Sequence, residues 1–143
     1  MDAVVKLDQR MHFTGVADTG FEVVMDSAVS VGGDDTGFRP MELILIGLCG
    51  CTAMDVISIL RKKRQSVSNL VVKAHADVAN AHPKVFTDIR LEYFVTGKNV
   101  DPKAVERSIQ LSADRYCPAQ AMLGQIVNLP TSYVILEEEE GLD

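Results

Sequence analysis

The stretch "PMELILIGLCGCTAMDVISIL", residues 40 to 60, decides how the rest of the chain is read. Pro40 suits the first turn of a helix, where its missing N–H leaves nothing unpaired. From there to Leu60 no glycine–proline cluster interrupts, and apolar residues fall on every face. That is the pattern of a central helix enclosed on most sides. "RKKRQ" follows at 61–65, and cations suit a helix C-terminus through attraction to its dipole. Glu42 near the start and Asp55 inside make the run a poor membrane span and a better buried helix. Two of the chain's three cysteines, Cys49 and Cys51, lie within it.

Working outward, the segments before the helix read as strands. "AVVKL" and "MHFTGVA" flank a "DQ" turn, and "FEVVMDSAV" follows a "TG" turn. "SVGGDDTGF" breaks every period and is an ordinary loop; it has two glycines but lacks the Lys-Ser/Thr of a phosphate loop. After the helix, residues 70, 72, 74, 76 and 78 alternate on one side of a strand. Val85, Ile89, Leu91, Tyr93 and Val95 share one side of another, and "NAHPK" makes the two a hairpin. Asp101-Pro102 is an N-cap and first-turn pair opening a helix to about Asp114, with Val105 and Ile109 inward. Cys117-Pro118 repeats that arrangement before "PAQAMLGQIV". "TSYVIL" is a last strand, and residues 137–143 are a flexible acidic tail. The order βββ-α-ββ-αα-β describes an α+β chain with antiparallel pairing.

The 143 residues fit one domain, 1–143, long enough to bury roughly 70% of the surface the unfolded chain exposes. Fourteen Lys and Arg against twenty Asp and Glu give a net charge of −6, which argues against nucleic acid and anionic membranes as partners. "MDAVVKLDQR" has no apolar core behind a basic tip, so no secretory signal is expected. Three cysteines, an odd number, point to a reduced cytoplasm, where thiols are reactive or simply buried. His12, His75 and His82 show no metal-binding spacing, so neither a metal nor another cofactor is expected, and His75 reads as a surface residue. Met41, Met54 and Met122 read as core.

The thiols differ in setting. Cys49 and Cys51 lie ~200° apart on a helix and are poorly placed to bridge each other. Cys51 sits more than three turns in, beyond the reach of the N-terminal dipole, so only a cation brought from elsewhere could make it a thiolate. Cys117, at an N-cap, lies near unpaired N–H groups that favour the anion.

"P-M-E-L-x(7)-C" before a long apolar helix, then "Y-C-P-A" opening a helix 66 residues after Cys51, resembles the OsmC/Ohr family of thiol peroxidases, most of all its YhfA-like branch. The likeness runs over nearly the whole chain. It implies an OsmC-like α+β fold, with a long central helix, in an intertwined homodimer whose sites lie at the interface. It also implies a thiol-dependent peroxidase for organic or hydrogen peroxides in oxidative-stress defence. On this reading Cys51 attacks the peroxide, Cys117 closes a disulfide on it and Cys49 packs. The reductant in such proteins is a lipoyl group on a carrier or another dithiol. Family peroxidases also carry an Arg that holds the thiolate and a Glu ten residues before the reactive cysteine. Here that position is Met41, and Glu42 stands one residue late, ~100° around the helix. Arg10 is the nearest cation by position and Arg39 the second choice. The alternative of a different class is a non-catalytic dimer of the same fold that responds to redox state or binds a small molecule.

Overall fold

The computed structural model describes residues 1–139. Its contacts divide the chain into two compact units, Met1–Ile46 and Gly47–Asp143. Among the described residues the expected element order is found, with two three-stranded sheets and three α-helices.

The first unit is a meander of β1 (Ala3–Gln9), β2 (His12–Ala17) and β3 (Glu22–Met25), all antiparallel. Its first turn is Arg10-Met11 rather than "DQ": Asp8 and Gln9 still belong to β1. The register skips Asp8, whose carboxylate accepts from Thr14 Oγ1 at 2.7 Å and meets His12 Nδ1 at 2.8 Å. Asp8 is thus the unpaired residue of a bulge inside β1, and the chain reverses at Arg10, in the left-handed region at φ 49°. The loop after β3 is organised around Asp26, 3% exposed. Its carboxylate accepts from Ser27 N–H (2.7 Å), Asp34 N–H (3.1 Å), Thr36 N–H (3.1 Å) and Thr36 Oγ1 (2.7 Å). Gly33 must be glycine, because a Cβ there would collide with the Ser27 carbonyl.

The Thr36 hydroxyl, helped by the three amides, holds Asp26 down at about 2. A carboxyl depressed below its unfolded value stabilises the fold above that value, and the contribution is lost as pH falls. We therefore expect acid destabilisation between pH about 4 and 2, and its loss in Asp26→Asn. Circular dichroism across that range would show no difference between the two proteins if the carboxylate were idle.

In the second unit β4 (Ser66–Val78) and β5 (Phe86–Lys98) form the long antiparallel hairpin, with β5 central. Ile89, Leu91, Tyr93 and Val95 are fully buried on one face, as the alternation requires. The register jumps from Asp77↔Asp88 to Val78↔Phe86, so Thr87 is the extra residue of a bulge. Parity inverts there: Phe86 is buried, whereas Val85 and Val78, read as inward, are 49% and 47% exposed. β6 (Thr131–Glu137) pairs parallel with β5, unlike the other ladders. A helical crossover supplies that return, since parallel neighbours cannot be joined by a tight turn.

The crossover begins with α2 (Pro102–Leu111), capped by Asp101, whose side chain accepts from Lys103 N–H at 3.0 Å. Val105 and Ile109 face the core. Asp101→Ala should cost about 0.5–2 kcal/mol, read from the shift of a denaturation midpoint; an unchanged midpoint would make the cap dispensable. Past Leu111 the coil widens into a π turn, Ser112–Tyr116, before α3 (Pro118–Leu123). Glu137 is the last strand residue and Glu138 N–H reaches Gly97 O at 2.8 Å, so pairing continues into the acidic run; residues 140–143 lie outside the described residues.

α1 (Pro40–Lys62) buries a single stripe, Leu48, Thr52, Val56 and Leu60, four residues apart. Within one chain it is not enclosed on most sides. Met54, off the stripe, is 73% exposed, and Met41 and Met122 are also exposed rather than core. By length and composition alone α1 could cross a membrane. Yet its polar residues Thr52 and Asp55 are hydrogen-bonded to the fold, as a core helix requires.

Candidate functional site

Cys51 lies half-buried on α1, and Cys117 is the N-cap residue of α3, 2% exposed. Cys51 is near enough to act on the Cys117 sulfur, so the fold brings together two residues 66 positions apart. Both are free thiols, as is Cys49. The π turn places Cys117: its N–H donates to Ser112 O at 2.9 Å, five residues back, and its Sγ accepts from Gln120 N–H at 3.4 Å.

Those amides do not make Cys117 an anion. Burial, then the neighbouring Cys51 sulfur, which favours the protonated form, push its thiol up to about 11, against the opposing pull of the Gln120 and Ala119 N–H groups. The expectation that the N-cap favours the thiolate fails because a buried sulfur loses more hydration than two amides return. Burial also raises Cys49, which suits a packing residue.

Both candidate guanidinium groups are engaged within the first unit. Arg10 donates to Gly32 O at 3.1 Å and pairs with Asp34 at 3.5 Å. Arg39 bonds Asp35 at 2.6 Å and Gly37 O at 3.3 Å. Glu42 Oε2 accepts from Arg39 N–H at 2.9 Å, the reach of a capping-box acid. His75 is a surface residue, 3.4 Å from Asp77. Among the described residues no three His, Cys, Asp or Glu side chains gather as a metal site would need.

Around the cysteine pair the structure adds residues that the sequence reading missed. Thr52 Oγ1 meets Tyr93 Oη at 2.7 Å and Ser112 Oγ at 2.8 Å. Gln120 Nε2 donates to Thr52 Oγ1 at 3.0 Å, and Ser112 Oγ donates to Asp55 Oδ2 at 2.9 Å. Burial, the larger cause, raises Tyr93, so its phenol keeps its proton. A polar residue three before Asp55 on an apolar helix, and another three after Cys117, were the available signals.

A chain with two β sheets, a long apolar helix carrying a mid-helix thiol and a second thiol at a helix start has the make-up of the OsmC-like proteins, and it belongs to that family: the OsmC-like protein family model matches residues 32–132. It is 37% identical to Protein YhfA of Escherichia coli K12, over 95% of this chain and 98% of that protein. A hypothetical protein from Aquifex aeolicus has a similar structure, with TM-score 0.84 and 30% identity, covering 96% of this chain and 97% of that one. An organic hydroperoxide resistance protein OsmC from Legionella pneumophila shares the fold at TM-score 0.69 and 14% identity, covering 93% and 96% of the two chains.

Proposed function

We propose that the protein is a thiol-dependent peroxidase that reduces organic or hydrogen peroxides through Cys51 and Cys117. The observation that carries this reading is the nearness of the two thiols, one half-buried and one fully buried, with Cys51 among the groups acting on Cys117. The Cys51 thiolate attacks one peroxide oxygen, the O–O bond breaks, and alcohol or water leaves with a proton. Cys51 becomes a sulfenic acid. The Cys117 sulfur then attacks the Cys51 sulfur, the S–O bond breaks, and the hydroxyl leaves as water with the Cys117 proton. A dithiol reductant, such as a lipoylated carrier, returns two electrons and two protons.

Unpaired thiols support a cytoplasmic setting. The apolar surface that α1 leaves open supports a homodimer, with a second copy covering it. Sedimentation at micromolar concentration should therefore find a dimer, and a stable monomer would sink that part of the reading. A family match that spans both units supports one domain.

One observation favours the non-catalytic alternative: Arg10, Arg39 and Glu42 already hold other partners. Peptide mapping after a stoichiometric dose of peroxide separates the two. A Cys51–Cys117 linkage formed within seconds is expected of the enzyme. A linkage through Cys49, or none faster than free cysteine oxidises, removes the peroxidase reading.

A further inference from the structure

The buried polar cluster touches both thiol-bearing segments. Thr52 directly follows Cys51, Gln120 supplies the amide on the Cys117 sulfur, and Ser112 supplies the carbonyl on the Cys117 N–H. The side chains of all three meet. Thr52 and Ser112 are 0% exposed and Gln120 is 4% exposed. Polar groups this deep weaken a core unless each is satisfied, and apolar residues would fill the space at less risk.

These are satisfied in one direction. The Asp55 carboxylate only accepts, so Ser112 spends its proton there. Thr52 must then donate to Ser112, and Tyr93 must donate to Thr52. Gln120 fills the remaining lone pair of Thr52 Oγ1. That oxygen donates once and accepts twice, its full capacity. A second, longer bond from Gln120 Nε2 to Ser112 Oγ, 3.5 Å, closes the triangle. Both residues that hold Cys117 are therefore anchored on the residue next to Cys51.

We propose that Thr52, Ser112 and Gln120 are positioning residues that hold the Cys117 sulfur against Cys51 and set the rate at which the disulfide closes. The purpose of that closure rests on the peroxidase reading; the geometry does not. Closing a disulfide needs the attacking sulfur in line with the bond it breaks, and a small misplacement costs much of the rate.

The test reads closure without a peroxide, in a Cys49→Ser background so that two thiols remain. Cys51 displaces one aryl thiolate from dithionitrobenzoate and keeps the other as a mixed disulfide. Cys117 then breaks that S–S bond, forms the Cys51–Cys117 disulfide, and releases the second aryl thiolate while its own proton goes to solvent. Each release is a separate absorbance phase. Thr52→Val should leave the first phase within about twofold and slow the second about tenfold, the scale of one lost hydrogen bond. Thr52→Ser, which keeps the hydroxyl, should restore it. If Thr52→Val fails to fold, Gln120→Met decides by the same two phases. An unchanged second phase, equal slowing of both phases, or no rescue by serine would overturn the proposal. A second parallel run with hydroperoxide separates the two ideas. If closure slows in the variant but Cys51 of a Cys117→Ser protein yields no sulfenic acid faster than free cysteine does, the positioning role stands and the peroxidase reading falls.

Discussion

Replacing Cys51 with serine should abolish fast peroxide consumption, whereas replacing Cys117 with serine should preserve the first reaction and stop the second. The difference follows from where the sulfurs sit. Cys51 is half-buried, so a peroxide can meet it; Cys117 is 2% exposed and hydrogen-bonded at both sulfur and N–H. Loss of an enzyme's nucleophile costs a thousandfold or more, roughly, so Cys51→Ser should fall to the rate of a free thiol. In Cys117→Ser the oxidised Cys51 has no thiol to condense with. Its sulfenic acid should persist long enough for a dimedone-type probe to label one site per chain, and excess peroxide should drive it to sulfinic acid. Mass spectrometry locates the label. Full-speed turnover by Cys51→Ser would reverse the roles.

What the sequence made legible was mainly what depends on period. The alternation through Ile89, Leu91, Tyr93 and Val95 and the cap at Asp101 are local patterns, and both were found in place. Breaks in period were not legible. Nothing in "VFTD" marks Thr87 as an extra residue, and the widened turn at Ser112–Tyr116 depends on tertiary partners of Ser112. The pairing of Cys51 with Cys117 came from resemblance, since spacing carries no distance. The polar cluster was out of reach for a different reason. Thr52, Ser112 and Gln120 come from three separate segments, and each alone looks like an incidental polar residue. The direction of the Cys117 shift was misread because capping is visible in sequence and burial is not.

Cys117 should remain a neutral thiol well into the alkaline range. Burial is the larger cause, the Cys51 thiol the next, and together they set its titration at about 11. Near pH 7 that leaves a thiolate fraction of about one in ten thousand, against roughly one in thirty for an ordinary cysteine. Alkylation of Cys117 in a Cys51→Ala protein should thus run on the order of a hundredfold slower than that of free cysteine. Removing Cys51 takes away one raising cause and leaves the larger one, so the titration point should fall only part of the way. The sign for stability follows. A thiol that binds its proton more tightly when folded contributes in full below its unfolded value and loses that contribution as pH rises through the folded one. Wild type should lose stability between pH about 9 and 11, and Cys117→Ser should lose less over that window. Denaturation midpoints measured through the window test the sign, and the alkylation rate tests the size. If Cys117 alkylates at the rate of free cysteine near neutral pH, the amides of Gln120 and Ala119 outweigh burial. Cys117 would then be equipped to attack first, and the order of the two thiols in the reaction would have to be exchanged.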